Sequence, residues 1–401
     1  MNQNIDERGV GSVGGPADNA APIPFARPSI GREEEEAVLR VLRSGWLTTG
    51  AECSAFEKEF ATMTGAKHCL AVNSATSGLH LALLASGLKA GDAVVTTPLT
   101  FAATAEVICA IGAKPVFADI DPRTANIDPQ EAEQKIRESG AKALIPVHMG
   151  GLTCPMAELR EIAQRNNCVL IEDAAHSLPA QQNGTYAGCF GDIGVYSFYA
   201  NKTITSGEGG MLVTERDDIA QRVRRLRMHG IDRDVWQRFT DQKASWQYDV
   251  TEAGYKYNLP DVLAAIGRVQ LQKAHTFRDK RAAIAQVYLD ELAEADFLEL
   301  PPQAEKHSWH LFQIRLLLDR LSISRNEFIH RLQQEGIGVS VHYIPLHTMT
   351  YYQRHWDYKE SDFPHTMDWY SRCISLPIYP DLTRNQQKRI IDTVLRIGKN
   401  A

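Results

Sequence analysis

The chain of 401 residues has an ordinary globular composition, with 44% hydrophobic and 23% charged residues, and its length suits one large domain and one smaller domain. A formal net charge of -6 argues against nucleic acid as a partner, because no basic stripe is available to neutralise a phosphate backbone. The seven cysteines are scattered without a Cys-x-x-Cys pair, so neither a disulfide framework nor a bound metal is expected.

The first 22 residues are polar and rich in glycine and alanine, and they contain no apolar segment of the signal-peptide type. No run of apolar residues in the chain is long enough to span a bilayer as a helix. These features predict a disordered tail at residues 1–22 and a soluble, cytoplasmic protein without a membrane partner.

Between residues 66 and 214, short β-branched segments alternate with amphipathic segments, which is the pattern of βαβ units in a mostly parallel sheet. The predicted strands are Cys69–Val72, Ala93–Thr96, Pro115–Asp119, Ala143–Val147, Val169–Glu172, Val195–Phe198 and Gly210–Val213. The predicted helices between them are Thr76–Ser86, Ala102–Ile111, Gln130–Ser139 and Met156–Asn166. The sequence therefore predicts an α/β fold for a large domain at residues 23–273.

A smaller α+β domain is predicted at residues 274–401, where this alternation ends. A helix at His275–Ala295 is followed by short strands near Leu311–Leu318 and Gly338–Tyr343, and the chain closes with a helix at Arg384–Ile397.

Three groups of polar residues follow predicted strands, at the edge where open α/β sheets bind their ligands. A turn of small residues, Asn73–Gly78, opens a helix whose free N–H groups and positive dipole end suit a phosphate. The second group contains Asp173 and His176, and the third contains Lys202 followed by a glycine-rich segment. We therefore expect these side chains to meet at one site.

Each group alone has an ordinary structural explanation, since a loop lysine is usually a surface charge, a Ser/Thr turn a helix cap and a glycine run a tight turn. A P-loop is excluded because no glycine precedes Lys202 at the required spacing. Together, however, the groups supply an amine, a carboxylate, an imidazole and a phosphate-binding turn. Pyridoxal phosphate (PLP) chemistry requires this set, because the amine binds the aldehyde and the carboxylate keeps the pyridine nitrogen protonated.

Six segments resemble the DegT/DnrJ/EryC1/StrS family of PLP-dependent sugar aminotransferases, and the similarity runs from about residue 24 to the C-terminus. They are Pro98–Thr104, Gly112–Asp121, Ile171–Ser177, Tyr196–Gly210, Gly254–Leu259 and His342–His347. The resemblance implies PLP fold type I, as in aspartate aminotransferase. It also implies transfer of an amino group from glutamate to a keto group of a nucleotide-linked sugar, in the biosynthesis of amino sugars for polysaccharide, lipid A or related glycans. Within the family, the chain looks most similar to the enzymes that make 4-amino-4-deoxy-arabinose nucleotide.

The resemblance also implies which residues form the site. Lys202 matches the lysine that binds the cofactor covalently, Asp173 the partner of the pyridine nitrogen, and His176 the residue near the cofactor ring and its hydroxyl. Contacts with the cofactor phosphate or ring are implied for Ala75, Thr76, Ser197 and Phe101. Contacts with the sugar nucleotide are implied for Thr48, His342, Tyr343 and His347.

A homodimer with shared sites is implied as well. In many family members an asparagine in the Gly-Tyr-x-Tyr segment reaches the cofactor phosphate of the neighbouring subunit. Here Lys256 occupies that position and Asn258 follows two residues later, so either residue could make the contact.

Two alternative functions stay open on the sequence. One is a PLP-dependent nucleotide-sugar dehydratase of the same fold, in which a histidine replaces the lysine, so that Lys202 favours transamination. The other is a PLP-binding regulatory protein without turnover, against which the intact Lys202, Asp173 and His176 argue.

Overall fold

The structure is a computed structural model that describes residues 21–232 and 247–401; residues 1–20 of the predicted tail lie outside this range. The first half of the chain forms a seven-stranded sheet in the order β1-β9-β8-β5-β4-β2-β3. Strand β9 runs antiparallel to β1 and β8, and the other neighbouring pairs are parallel. The strands are β1 His68–Val72, β2 Ala93–Thr96, β3 Lys114–Phe117, β4 Ala143–Ile145, β5 Val169–Asp173, β8 Ile193–Ser197 and β9 Gly210–Thr214, while β6 Gln181–Gln182 and β7 Thr185–Tyr186 form a separate hairpin.

Seven helices in the described ranges belong to this half of the chain; the alternating pattern predicted the third to the sixth of them, but not the first two or the last. They are α1 Arg32–Ser44, α2 Ala51–Thr64, α3 Ala75–Ala85, α4 Ala102–Ala110, α5 Pro129–Ser139, α6 Met156–Arg165 and α7 Asp217–Leu226. Helix α5 shows how the sequence sets their ends: Asp128 accepts hydrogen bonds from the first turn, Pro129 occupies the first helical position, and Gly140 closes the helix in the left-handed conformation.

The second half of the chain contains a three-stranded antiparallel sheet in the order β10-β11-β12, with helices around it. Its elements are α8 Asp261–Glu291, β10 Leu298–Glu299, β11 Phe312–Leu316, α9 Arg325–Gln334, α10 Thr350–His355, α11 Pro364–Arg372, β12 Cys373–Leu376 and α12 Arg384–Lys399. Short 3-10 turns occur at Met149–Gly151, Leu318–Arg320, Leu346–Thr348 and Glu360–Asp362. None of the helices in the described ranges is long and apolar enough to cross a membrane.

Several predicted element bounds are wrong. The strand predicted at Ala143–Val147 ends at Ile145, because Pro146 has no N–H to continue the ladder. No strand forms at Gly338–Tyr343, because this segment bonds first to Ile23 and then, through a single bridge at Ser340, to Ser375. The strand beside β11 is instead β12, which follows α11 directly without a turn residue to signal it.

Helix α8 begins at Asp261, well before the predicted start at His275, and ends at Glu291. Its first half packs into the core of the large sheet, with Leu271 and Phe277, and its second half packs into the core of the small sheet, with Ile284 and Tyr288. The helix therefore runs through the predicted domain boundary at 273/274. The division into domains stays a prediction.

Candidate active site

A cavity of about 450 Å³ lies where β1, β5 and β8 end and α3 begins. The parallel strands bring their carboxyl ends to this edge, as expected for an open α/β sheet. Residues from every polar group singled out in the sequence line the cavity, namely Ala75, Thr76, Phe101, Asp173, His176, Ser197, Lys202, His342 and Tyr343.

The N-terminus of α3 forms one wall. The Ser74 hydroxyl caps the helix by accepting a hydrogen bond from the Ser77 N–H at 3.1 Å, and the N–H groups of Ala75 and Thr76 have no intrahelical acceptor at the first turn. Strand β9 passes close to this turn at Gly210, where a Cβ atom would lie 2.8 Å from the Ala75 nitrogen. The glycine lets the turn approach the strand, and the wall is suited to an anion.

Asp173 is the last residue of β5, and its carboxylate is buried. Its Oδ2 atom accepts a hydrogen bond from the Thr104 hydroxyl at 2.8 Å, and its Oδ1 atom accepts one from the Ala175 N–H at 3.1 Å. Burial raises the pKa of Asp173, and the Thr104 hydrogen bond opposes this rise. A cation placed beside the carboxylate would offset the cost of burying its charge.

The preceding residue, Glu172, points to the other side of the strand and serves a different purpose. Its carboxylate accepts hydrogen bonds from the N–H groups of Gly188, Phe190 and Gly191 at 2.6–2.7 Å and contacts His148 Nε2 at 2.9 Å. Glu172 therefore fixes the loop that leads into β8.

Lys202 lies in the loop after β8, mostly buried. Burial lowers the pKa of its amine to about 8, and the negative charge of Asp173 opposes this shift. The loop is tied back onto Phe198, whose carbonyl accepts hydrogen bonds from the Thr205 hydroxyl at 2.9 Å and the Ser206 N–H at 3.0 Å. A substantial neutral fraction of the amine, held in a tethered loop, is the state that a nucleophile or base requires.

His176 is buried beside this amine. Its Nε2 atom lies 2.9 Å from the Tyr343 hydroxyl, and its ring centroid lies 4.5 Å from that of His310. The Ser308 hydroxyl donates a hydrogen bond to the His176 carbonyl at 2.7 Å. Burial, and then the positive charge of Lys202, lowers the pKa of His176 well below its ordinary value, so the imidazole is neutral.

His342 and Phe101 complete the lining. The Nδ1 atom of His342 lies 2.8 Å from the Ser375 hydroxyl, and its ring stacks on Phe25 with 5.3 Å between centroids. Burial lowers the pKa of His342 to about 4. Phe101 lies at the rim with 60% of its surface exposed, and its ring centroid is 6.1 Å from that of Tyr343.

Four of the sequence-predicted residues do not line this cavity. Thr48 is exposed, and its carbonyl accepts a hydrogen bond from the Asp261 N–H. His347 is buried against Phe363, with 4.6 Å between ring centroids and no hydrogen-bond partner on either nitrogen among the described residues. The other two residues are Lys256 and Asn258, whose side chains bond to each other at 2.6 Å. The roles implied for these four residues stay predictions.

Several polar residues that line the cavity were not among the residues predicted from the sequence. Thr104 orients Asp173 and is itself bonded to Thr100 at 2.8 Å. The two threonines lie four residues apart within the Pro98–Thr104 segment that resembles the family, and this spacing was the available signal. Asn201 directly precedes Lys202, and its buried Oδ1 atom has no hydrogen-bond partner among the described residues. Tyr199 and Glu208 also line the cavity, and both lie in the Tyr196–Gly210 segment that resembles the family.

Comparison with known proteins agrees with this architecture. The family model described as the DegT/DnrJ/EryC1/StrS aminotransferase family matches residues 28–395. The spore coat polysaccharide biosynthesis protein SpsC of Bacillus subtilis is 41% identical over 382 residues, covering 94% of this chain and 98% of SpsC.

Two solved structures share the fold. PseC of Helicobacter pylori, an aminotransferase involved in the biosynthesis of pseudoaminic acid, superimposes with a TM-score of 0.88 at 28% identity, over 95% of this chain and 100% of PseC. The PLP form of Spr1654 from Streptococcus pneumoniae, described as a candidate sugar aminotransferase, gives a TM-score of 0.87 at 28% identity, over 94% and 99% of the two chains.

The large, mostly parallel sheet, together with the superposition on these neighbours, confirms the prediction of PLP fold type I. The match over residues 28–395 likewise confirms the family resemblance. The narrower similarity to the 4-amino-4-deoxy-arabinose branch stays a prediction. Over nearly its whole length, this chain belongs to the DegT/DnrJ/EryC1/StrS aminotransferase family.

Proposed function

We propose that this protein is a cytoplasmic, PLP-dependent aminotransferase that transfers an amino group from glutamate to a keto group of a nucleotide-linked sugar. The observation that carries the proposal is the mostly buried amine of Lys202, which lies in a cavity that also holds a buried carboxylate and a helix N-terminus. The names of SpsC and PseC, which refer to polysaccharide and pseudoaminic acid biosynthesis, support a sugar as the acceptor.

The lining residues fit pyridoxal phosphate. The N–H groups of Ala75 and Thr76, with the Ser197 hydroxyl, would hold the phosphate, and Phe101 would pack on the ring. The buried Asp173 carboxylate accepts hydrogen bonds from only Thr104 and Ala175 among the described residues, so it retains lone pairs for a protonated pyridine nitrogen. When bound, this cofactor supplies an aldehyde carbon that takes up an amino group and a ring that withdraws electrons from the adjacent C–H bond.

The residues of the chain then have separate tasks. In the first half of the cycle, the neutral Lys202 Nζ atom would move a proton from the α-carbon of glutamate to the cofactor carbon that takes up the amino group. In the second half, when the ketosugar is the substrate, Nζ would move a proton from that carbon to the sugar carbon. Asp173 keeps its partner nitrogen protonated throughout. Over one full cycle, glutamate becomes 2-oxoglutarate and the C=O group of the sugar becomes CH–NH₂.

The proposal includes a homodimer with shared sites. A largely apolar groove of about 610 Å³, lined in part by Pro28, Ile30, Val38, Leu39 and Ile266, lies against Ala200 in the loop that carries Lys202. Ile30 and Leu39 are 50% and 44% exposed in the single chain. Apolar surface of this kind beside the site is suited to a second subunit.

Of the two candidates for a contact with the neighbouring subunit, we assign the contact to Lys256. The amide nitrogen of Asn258 already donates a hydrogen bond to the Thr49 hydroxyl at 2.6 Å. Lys256 is exposed and carries the charge that a phosphate would attract.

Absorption spectroscopy and product analysis test the proposal. The protein loaded with PLP should lose the absorption band of the lysine-bound cofactor on addition of glutamate, with release of one equivalent of 2-oxoglutarate. A panel of nucleotide-linked ketosugars should then restore the band and yield an aminated sugar by mass spectrometry. Lys202→Ala is the control and should do neither. A bound cofactor that never responds to glutamate would indicate a regulatory protein, and a deoxygenated sugar without nitrogen would indicate a dehydratase.

A further inference from the structure

The imidazole of His176 is contacted by residues from distant parts of the chain. Tyr343 meets its Nε2 atom at 2.9 Å and stacks on it at an interplanar angle of 23°. His310 packs on the ring with 4.5 Å between centroids. The Nδ1 atom is buried and has no hydrogen-bond partner in the described parts of the chain, while the residue itself lines the cavity.

The protonation of this pair follows from the pKa shifts of both partners. Burial, and then the positive charge of Lys202, depresses the pKa of His176. Burial, and then the negative charge of Asp173, raises the pKa of Tyr343. Burial also lowers the pKa values of His310 and His342, which lie nearby. A protonated phenol therefore faces a neutral imidazole, and the imidazole carries one hydrogen on one of its two nitrogens.

Two arrangements of hydrogens are compatible with the contact. If His176 Nε2 donated to the Tyr343 oxygen, the phenolic hydrogen and the Nδ1 lone pair would both be left without a partner. If Tyr343 donates to Nε2, the Nδ1 hydrogen and the lone pairs of the phenolic oxygen are left without a partner, so the number of unpaired groups does not decide between the two arrangements. The second arrangement is favoured because a phenol is a stronger hydrogen-bond donor than an imidazole N–H, and an imidazole nitrogen is a stronger acceptor than a phenolic oxygen.

We propose that Tyr343 is a positioning residue that fixes the tautomer of His176, so that Nδ1 carries the hydrogen and presents it to an oxyanion in the cavity. The tautomer depends only on the contacts within the chain. The identity of the oxyanion, the phenolic oxygen of pyridoxal phosphate, rests on the proposed function.

Other contacts keep the imidazole in place for this task. The Ser308 hydroxyl anchors the backbone of His176 at 2.7 Å. The buried guanidinium of Arg281 donates hydrogen bonds to the carbonyls of Trp309 at 3.2 Å and His310 at 3.4 Å. These bonds hold the segment that packs on the His176 ring. The chain itself therefore maintains the position of the ring, and the Tyr343 hydroxyl selects its tautomer.

Nitrogen NMR of the cofactor-free protein, labelled with ¹⁵N-histidine, tests the tautomer directly. The His176 signals are identified by their loss in His176→Gln. In the unsubstituted protein we expect the hydrogen on Nδ1. In Tyr343→Phe, which retains the ring and its packing, the ratio of the Nδ1–H to the Nε2–H form should fall about fivefold, as expected for loss of one ordinary hydrogen bond.

Tyr352→Phe is the matched control, because its buried hydroxyl has no partner among the described residues and it does not line the cavity. This variant should leave the His176 signals unchanged. A hydrogen on Nε2 in the unsubstituted protein overturns the proposal, even if Tyr343→Phe fails to fold. An unchanged ratio in a folded Tyr343→Phe protein overturns it as well.

Addition of PLP tests the oxyanion separately. With cofactor attachment verified by absorbance, the Nδ1 signal should shift as its hydrogen enters a hydrogen bond; an unchanged signal would refute the oxyanion contact. Failure of the protein to bind PLP at all would refute the proposed function. It would not affect the tautomer of the cofactor-free protein, which the NMR measurement tests separately.

Discussion

The hydroxyl of Thr104 donates a hydrogen bond of 2.8 Å to Asp173, and so fixes the carboxylate at the end of β5 from the first turn of α4. Thr100 bonds to Thr104 in turn. Because the acidic group is held by a helix that begins beside the cavity, its orientation does not depend on a ligand. The Asp173 carboxylate, the most deeply buried charged group of the site, is therefore already oriented before a ligand binds.

Asp173→Asn should reduce transamination by roughly 100-fold or more, because a neutral amide cannot stabilise a protonated ring nitrogen. The fold should tolerate the change, since the amide oxygen can still accept one of the two hydrogen bonds. Steady-state kinetics and urea unfolding measure the two effects. Activity within a few-fold of the parent protein would refute the role assigned to Asp173.

Glu172→Gln is the matched control, with the same chemical change one residue earlier. Its carboxylate accepts three backbone hydrogen bonds and contacts His148, so the amide should lower the free energy of unfolding by about 1–3 kcal/mol. Its effect on the catalytic rate should be far smaller than that of Asp173→Asn. Equal losses of rate in the two variants would show that the rate reports general damage to β5.

The rate of PLP attachment to the cofactor-free protein should depend on pH through Lys202. Only the neutral amine attacks an aldehyde, and the pKa of this amine is lowered to about 8. From two pH units below the pKa to the plateau above it, the rate should therefore rise about a hundredfold. Stopped-flow absorbance measures it, with N-acetyl-lysine, whose amine has an ordinary pKa of about 10.4, as the comparison. If the rate levels off only at the pH at which it does so for the free amine, the result would contradict the burial of Lys202.

Mixing two inactive variants should restore activity if sites are shared between subunits. Lys202→Ala lacks the reactive amine, and the double variant Lys256→Ala/Asn258→Ala lacks both candidates for the contact with the neighbouring subunit. After subunit exchange, half of the dimers should be mixed and one of their two sites intact, which gives roughly a quarter of the parent activity. Native mass spectrometry verifies the exchange. Mixed dimers without activity would show that each site is built within one chain.

Asp261→Ala should destabilise the protein more than Asp128→Ala does. The buried Asp261 carboxylate accepts hydrogen bonds from Gly50, Cys53 and Glu52 at 2.7, 3.0 and 3.2 Å, and thereby caps α2 from another helix. Its loss should cost about 2 kcal/mol, whereas the local cap at Asp128 should cost about 1 kcal/mol. Urea denaturation of both variants provides the comparison, and equal losses would mean that the link between the helices adds nothing.

The sequence was sufficient to predict the residues that stand directly after strands. Lys202, Asp173 and His176 all meet in the cavity, because strand ends in a parallel sheet converge on one edge whatever the details of packing. Hydrophobic alternation and turn residues also located most strands of the large sheet to within two residues.

Features that depend on long-range packing could not be predicted in this way. The contact of Tyr343 with His176 joins residues 167 positions apart, and no local pattern encodes it. His347 belongs to the same segment as His342, yet its side chain packs against Phe363 in an aromatic cluster and does not line the cavity. Strand β12 was missed because its pairing with β11, rather than its own turn signals, defines it.

Helix α8 has a consequence for how the protein unfolds. Its 31 residues span about 46 Å, and its two halves supply apolar side chains to both hydrophobic cores. Neither core can lose this helix without exposing apolar surface in the other, so heat or denaturant should melt the two lobes in one cooperative transition rather than one after the other. A protein cut within α8 would consequently yield two fragments, each lacking part of its own interior.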